Sequence, residues 1–163
     1  MVFSNILFDC RHGDPCHWGK ADPVFISLRH RAPDVRPGDI SQVTFSSLNG
    51  VGEGAINLHS EIDGAVRDIT FNGLTFTQIH SPSGEQGCYD VRPPCNPERP
   101  TGMGLDNAYR VDPQTGRAHG VGRYPHGLPA IFACGICGLH LNELHITRPS
   151  PLPADWDVES IRV

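Results

Sequence analysis

Val66-Arg67-Asp68-Ile69-Thr70-Phe71-Asn72-Gly73-Leu74-Thr75-Phe76 is the stretch that decides the fold. Its apolar residues, Val66, Ile69, Phe71, Leu74 and Phe76, are spaced three, two, three and two apart. The Ile69-x-Phe71 centre has the period of a β-strand. The phrase recurs as Ile40-x-x-Val43-x-Phe45-x-x-Leu48 and as Ile136-x-x-Leu139-x-Leu141-x-x-Leu144-x-Ile146. A partial copy, Phe3-x-x-Ile6-x-Phe8, opens the chain. A second phrase alternates with the first. It reads Pro23-Val24-Phe25-Ile26-Ser27-Leu28, then Gly54-Ala55-Ile56-Asn57-Leu58, then Pro129-Ala130-Ile131-Phe132-Ala133.

Fixed alternation of two strand phrases is the mark of a solenoid, in which no single turn buries its own apolar face. Val43 and Ile69 are 26 residues apart, Ile6 and Val43 are 37, and Ile69 and Leu139 are 70. The excess falls between a first-type and a second-type strand, as it does when loops on one side vary in length. The expected fold is all-β, with about four coils whose strands pair in parallel at about 4.8 Å. Stacking is expected to place Ile6, Val43, Ile69 and Leu139 in one interior ladder and Phe8, Phe45, Phe71 and Leu141 in another. The competing reading is an antiparallel sandwich of short strands.

Composition agrees with this class. The chain has 163 residues, of which 18 are Gly and 15 are Pro. That is too much helix-breaking residue for a bundle and too little for a low-complexity chain. The expected organisation is one partial solenoid domain over 1–163, with coils at 1–79 and 128–148 and a C-terminal tail at 149–163. The segment 80–127 holds 8 Gly and 7 Pro in 48 residues, shows no strand or helix period, and reads as a long irregular loop insertion. Its anchoring candidates are Cys88 and Cys95, whose bridge would close a small Pro-rich loop, and Tyr89, Tyr109 and Tyr124.

Thirteen basic against eighteen acidic side chains give a net charge of −5, which disfavours a nucleic-acid partner. The twelve Arg against a single Lys, Lys20, carry no motif and read as genome composition. No run approaches the roughly 18 apolar residues of a membrane span. The opening Met1-Val2-Phe3-Ser4-Asn5-Ile6 lacks the basic and apolar regions of a signal peptide.

Right-handed parallel β-helices have this turn length of about 25 residues. Among them the chain resembles the C-terminal part of the family 28 glycoside hydrolases, the polygalacturonases and their relatives. The resemblance rests on Trp18-Gly19-Lys20-Ala21-Asp22-Pro23-Val24-Phe25-Ile26-Ser27-Leu28, on Ile40-Ser41-Gln42-Val43-Thr44-Phe45, and on Gly54-Ala55-Ile56-Asn57-Leu58. It covers 1–79 well and 128–146 as generic coils. It implies a secreted or periplasmic parent that hydrolyses uronate-containing polysaccharide with two carboxylates set apart to admit a water. The family's Asn-Thr-Asp, Asp-Asp, Gly-His-Gly and Arg-Ile-Lys phrases are all missing from this chain. Its catalytic residues therefore do not carry over, and the chain is expected to be inactive alone. The strand Val24 to Leu28 corresponds to one that serves a sugar subsite. Arg29 or Arg31 would pair with a uronate carboxylate, and His30 would stack or hydrogen-bond. Trp18 would be a sugar platform or a capping aromatic. The bland alternative is that these are solvated loop residues.

Cys134-Gly135-Ile136-Cys137 is a C-x-x-C pair, but its possible zinc partners Cys10, His12, Cys16 and His17 belong to the first coil, about 14 Å away along the stack. Neither a metal nor a cofactor is expected. His140 and His145 alternate with Leu139, Leu141 and Leu144 and read as an outward face. Two functions follow: the distal coils of a polygalacturonase-like hydrolase, or a non-catalytic carbohydrate-binding or structural β-helix module such as part of an adhesin. A solenoid cut mid-stack exposes apolar core, so self-association or a capping partner is expected at the N-terminal face.

Overall fold

The computed structural model describes residues 1–12, 20–30, 35–81, 87–90 and 121–163. Among the described residues there are ten strands: β1 (Val2–Cys10), β2 (Phe25–Leu28), β3 (Ile40–Gly52), β4 (Ile56–Ser60), β5 (Val66–Gln78), β6 (Cys88–Asp90), β7 (Val121–Arg123), β8 (Ile131–Cys134), β9 (Ile136–Thr147) and β10 (Ile161–Arg162). The described residues contain no helix, and so none long and apolar enough to cross a membrane. The chain is all-β. One four-stranded sheet, sheet A, has the order β1-β3-β5-β9; the other, sheet B, has the order β10-β8-β4-β2. Every pairing in both is parallel, which rules out the antiparallel sandwich. The chain thus visits the sheets alternately, as the two phrases do in the sequence.

The three-two-three-two spacing has a backbone cause. Gln42 (φ 55°), Asp68 (φ 55°) and Gly138 (φ 68°) occupy one row of left-handed residues in sheet A. Asn5 (φ 56°), Ser47 (φ 56°), Gly73 (φ 73°) and Glu143 (φ 55°) occupy a second. The ladder pairings skip both rows. A left-handed residue turns the strand and resets its in-out alternation. Residues three apart across it both face inward, whereas those two apart face inward within a straight segment. Each long strand of sheet A is therefore bent twice around the core.

Inside, Val43, Ile69 and Leu139 stand in one row, as expected, and Phe45, Phe71 and Leu141 in the next. The first coil departs from expectation. Phe3, not Phe8, pairs with Phe45; Ile6 pairs with Leu48 and Phe8 with Gly50. The phrase Phe3-x-x-Ile6-x-Phe8 matches Phe71-x-x-Leu74-x-Phe76 as well as it matches the segment expected. Gly50 decides between them. A Cβ there would lie 2.0 Å from the Phe8 carbonyl oxygen and 2.7 Å from its ring, so only glycine admits Phe8 in this row. Phe3 stacks on Phe45 at 5.2 Å, and Phe45 stacks on Phe71 at 4.8 Å. Phe71, Phe76, Ile56, Leu58, Ile69, Leu74 and Ile131 are fully buried between the sheets.

The segment expected as an irregular loop and the C-terminal tail both carry strands. Within 80–127, β6 and β7 pair antiparallel through Tyr89 and Gly122. They are too short for a period to show, and aromatic packing holds them. Within the tail, β10 pairs with β8 and completes sheet B. The junction of the sheets is closed by Gln78. Its Nε2 donates to the carbonyls of Gly54 (3.0 Å) and Pro129 (2.8 Å), and its Oε1 accepts from Arg148 Nε (3.1 Å).

Neither sheet closes. At the β1–β2 end, a groove of about 600 Å³ opens onto Phe3, Ile6, Phe8, Val24, Ile26 and Val43.

Candidate functional site

Sheet B turns Ile26, Leu28, Ile56, Leu58, Ile131 and Ala133 toward the core. Alternation then forces the intervening residues outward. Two outward rows result. One holds Phe25, Asn57, Phe132 and Arg162; the other holds Ser27, His59 and Cys134. The β6–β7 hairpin lies against this face. Tyr89 stacks on Phe132 at 5.5 Å, sits 5.3 Å from Tyr124 and approaches the His59 ring at 5.9 Å. Phe132 and Tyr124 form a second apolar cluster with Ala55, Leu128 and Trp156, separate from the main core, and Tyr89 packs against it. The hairpin is a wall and the row of Ser27, His59 and Cys134 is a floor.

The rim follows from the register. Leu28 pairs with Ser60, so the next residues, Arg29 and Glu61, emerge side by side. Arg29 Nε donates to Glu61 Oε1 at 2.5 Å. The His30 amide donates to Glu61 Oε2 at 2.8 Å, and His30 Nδ1 lies 3.3 Å from the same oxygen. Partial burial pushes the Glu61 carboxyl up, but the His30 amide and the Arg29 guanidinium outweigh it and hold it below the ordinary carboxylate range. Burial pushes the His59 imidazole down, and the Arg29 charge pushes it the same way. Burial raises the Tyr89 phenol, with a further upward push from Cys134. His59 Nδ1 is buried without a hydrogen-bond partner.

At the other end of the face, Asp22 accepts from the Ala55 amide (3.1 Å) and from Asn57 Nδ2 (3.4 Å). That carboxylate ties the loop before β2 to β4.

Of the residues expected to touch sugar, Arg29 and His30 are brought together, with Glu61 between them. Trp18 and Arg31 lie outside the described residues. Cys88 is buried at the start of β6, and its expected partner Cys95 lies outside the described residues. Cys134 and Cys137 are exposed, and no group of three or more His, Cys, Asp or Glu among the described residues is placed to hold a metal. Tyr89 and Tyr124, anchoring candidates by sequence, pack against Phe132 of sheet B; Tyr109 lies outside the described residues. Glu61 and His59 were not among the expected site residues, although aligning the second-type phrases sets Ser27 against His59 and Arg29 against Glu61.

Compared with protein-family models, curated proteins and solved structures, the chain matches none.

Proposed function

We propose that this chain forms distal coils of a right-handed parallel β-helix and binds polysaccharide along the outer face of sheet B. In this reading it belongs with polygalacturonase-like glycoside hydrolases. The complete solenoid hydrolyses O-glycosidic bonds of a uronate-containing, pectin-type polymer with carboxylates carried on other coils. Alternating visits to two parallel sheets support the β-helix. The walled outer face of sheet B supports sugar binding.

The observation that argues against a general acid at the Arg29–Glu61 site is the state of Glu61. A general acid for glycoside hydrolysis needs a raised pKa. Glu61 is held low and tied at both oxygens. The open apolar groove at the β1–β2 end is the surface that further coils, or a capping partner, would cover.

Affinity electrophoresis of the full chain through gels containing pectin tests the reading. Retarded migration is expected, without release of reducing sugar. Unretarded migration overturns sugar binding, and reducing-sugar release overturns the non-catalytic role. An adhesin-type binding module gives the same retardation; coding sequence upstream with Asn-Thr-Asp and Asp-Asp coils identifies the hydrolase.

A further inference from the structure

Resting on that reading, we infer that the β6–β7 hairpin is a lid over a sugar subsite, and that Asn57 Oδ1, His59 Nδ1 and the Tyr124 hydroxyl take hydroxyls of the bound chain when it lifts. Alternation turns Asn57 and His59 out of sheet B, where water would satisfy them. Asn57 is instead fully buried. Its Nδ2 donates to Asp22 at 3.4 Å, which fixes the orientation of the amide and leaves Oδ1 buried without a hydrogen-bond partner. His59 Nδ1 and the Tyr124 hydroxyl are in the same state, and so is Trp156 Nε1 in the second cluster. Among the described residues there are five such atoms, and the fifth, His12 Nε2, lies beyond the end of β1. Native folds leave few groups of this kind, because each costs free energy. Four around a single hairpin are groups held for a ligand.

The hairpin sits where the cover is needed. Tyr89 stacks on Phe132, the ladder neighbour of Asn57, and lies beside His59. Tyr124, whose amide donates to the Gly87 carbonyl, meets Phe132 edge-on at 5.0 Å. β6 and β7 form a sheet of their own, and Tyr89 and Tyr124 pack in the second cluster, not in the main core. Lifting the hairpin therefore breaks ring contacts and leaves both parallel sheets whole. It uncovers an amide oxygen, an imidazole and a phenol beside the Phe132 ring. Burial and the Arg29 charge keep that imidazole neutral. One of its nitrogens then accepts and the other donates, and the phenol does both. A sugar ring offers hydroxyls that donate and accept, and C–H faces that pack on aromatic rings. Every unit of a uronate polymer carries these beside its carboxylate.

Isothermal titration of the full chain with tetragalacturonate, paired with thermal melts, tests the subsite. Tyr124→Phe removes one hydroxyl and keeps the ring. It is expected to weaken binding about tenfold. It is also expected to raise the melting midpoint of the free protein by about 3 °C, since an orphaned group is gone. Unchanged affinity overturns the subsite and leaves polysaccharide binding standing. So does an unchanged or lower midpoint, which would show that the phenol is already satisfied, by a bound water for instance, before sugar arrives. Stopped-flow tryptophan fluorescence of the wild-type chain tests the lid and needs no variant. The observed rate is expected to level off as tetragalacturonate is raised, because the hairpin must open first. A rate that stays linear in sugar overturns the lid. Failure of the wild-type chain to bind at all overturns the inference together with the function it rests on.

Discussion

Sheet A and sheet B are built from the same alternation and differ in what they repeat. In sheet A each strand restates one apolar phrase. Rows such as Phe3, Phe45, Phe71 and Leu141 change little from strand to strand. In sheet B the inward residues repeat, but the outward rows change chemistry at every coil. Ser27 gives way to His59 and then Cys134, and Phe25 to Asn57 and then Phe132. Stacking imposes a like-on-like rule on the interior only. The outer face is free of that rule, so it is where this all-β fold has room for a site.

The largest expected effect separates the two faces by truncating a ring on each. Phe71 is 1% exposed and stacked within its row. Phe71→Ala is expected to cost about 3–5 kcal/mol, read from denaturant midpoints at constant m-value. Phe132 is also largely buried, at 7%, but its cover is the three-residue strands of the β6–β7 hairpin. Those can settle into the space, so Phe132→Ala is expected to cost less by about 1 kcal/mol or more. Equal losses would break the comparison and make the hairpin part of the fold rather than a wall laid on it.

The same contrast explains what the sequence made legible. Parallel pairing and the Val43–Ile69–Leu139 and Phe45–Phe71–Leu141 rows could be read because left-handed bends recur at fixed positions and keep the spacing constant. The first coil could not, since Phe3-x-x-Ile6-x-Phe8 fits two registers five residues apart. Gly50 settles the choice by its missing side chain, a packing fact with no periodicity. On the outer face, Arg29 and His30 were singled out only by the resemblance, as the end of the strand that corresponds to one serving a sugar subsite. Glu61 needed the second-type strands laid side by side. Tyr89 could be named as an anchoring aromatic but not placed, because β6 is three residues long within a Gly- and Pro-rich segment, and its place depends on Phe132 from a strand far along the chain.

A second test targets the tie between the sheets. Gln78 lies at the end of β5 in sheet A, is 1% exposed, and donates to carbonyls just ahead of β4 and β8 in sheet B. Gln78→Ala leaves both carbonyls short of a donor and removes the acceptor of Arg148. The expected loss is about 2–3 kcal/mol. Gln78→Glu supplies acceptors where the carbonyls need donors, and it is expected to restore none of that loss. Rescue by Glu, measured by thermal melts, would show that contact with Arg148 alone joins the sheets.

The smallest effect concerns the bends that make sheet A regular. Gly73 and Glu143 hold the same place on successive coils, at φ 73° and φ 55°. For glycine that conformation carries no Cβ penalty, whereas for glutamate it costs on the order of 1–2 kcal/mol. Replacing Glu143 by glycine removes the penalty but gives the unfolded chain more freedom to lose, about 0.4–1 kcal/mol. The balance is a gain of roughly 0.5 kcal/mol, from the difference of those two terms. The reciprocal change isolates the backbone. A Cβ at Gly73 would lie no closer than 3.8 Å to any neighbour, so Gly73→Ala meets no steric barrier. It is expected to lose a comparable amount through φ alone. Opposite signs in calorimetric melts would show that one backbone rule spaces the apolar phrase on every coil. A stabilising Gly73→Ala would mean that the two positions are bent for different reasons, and the spacing of three, two, three, two would need another cause.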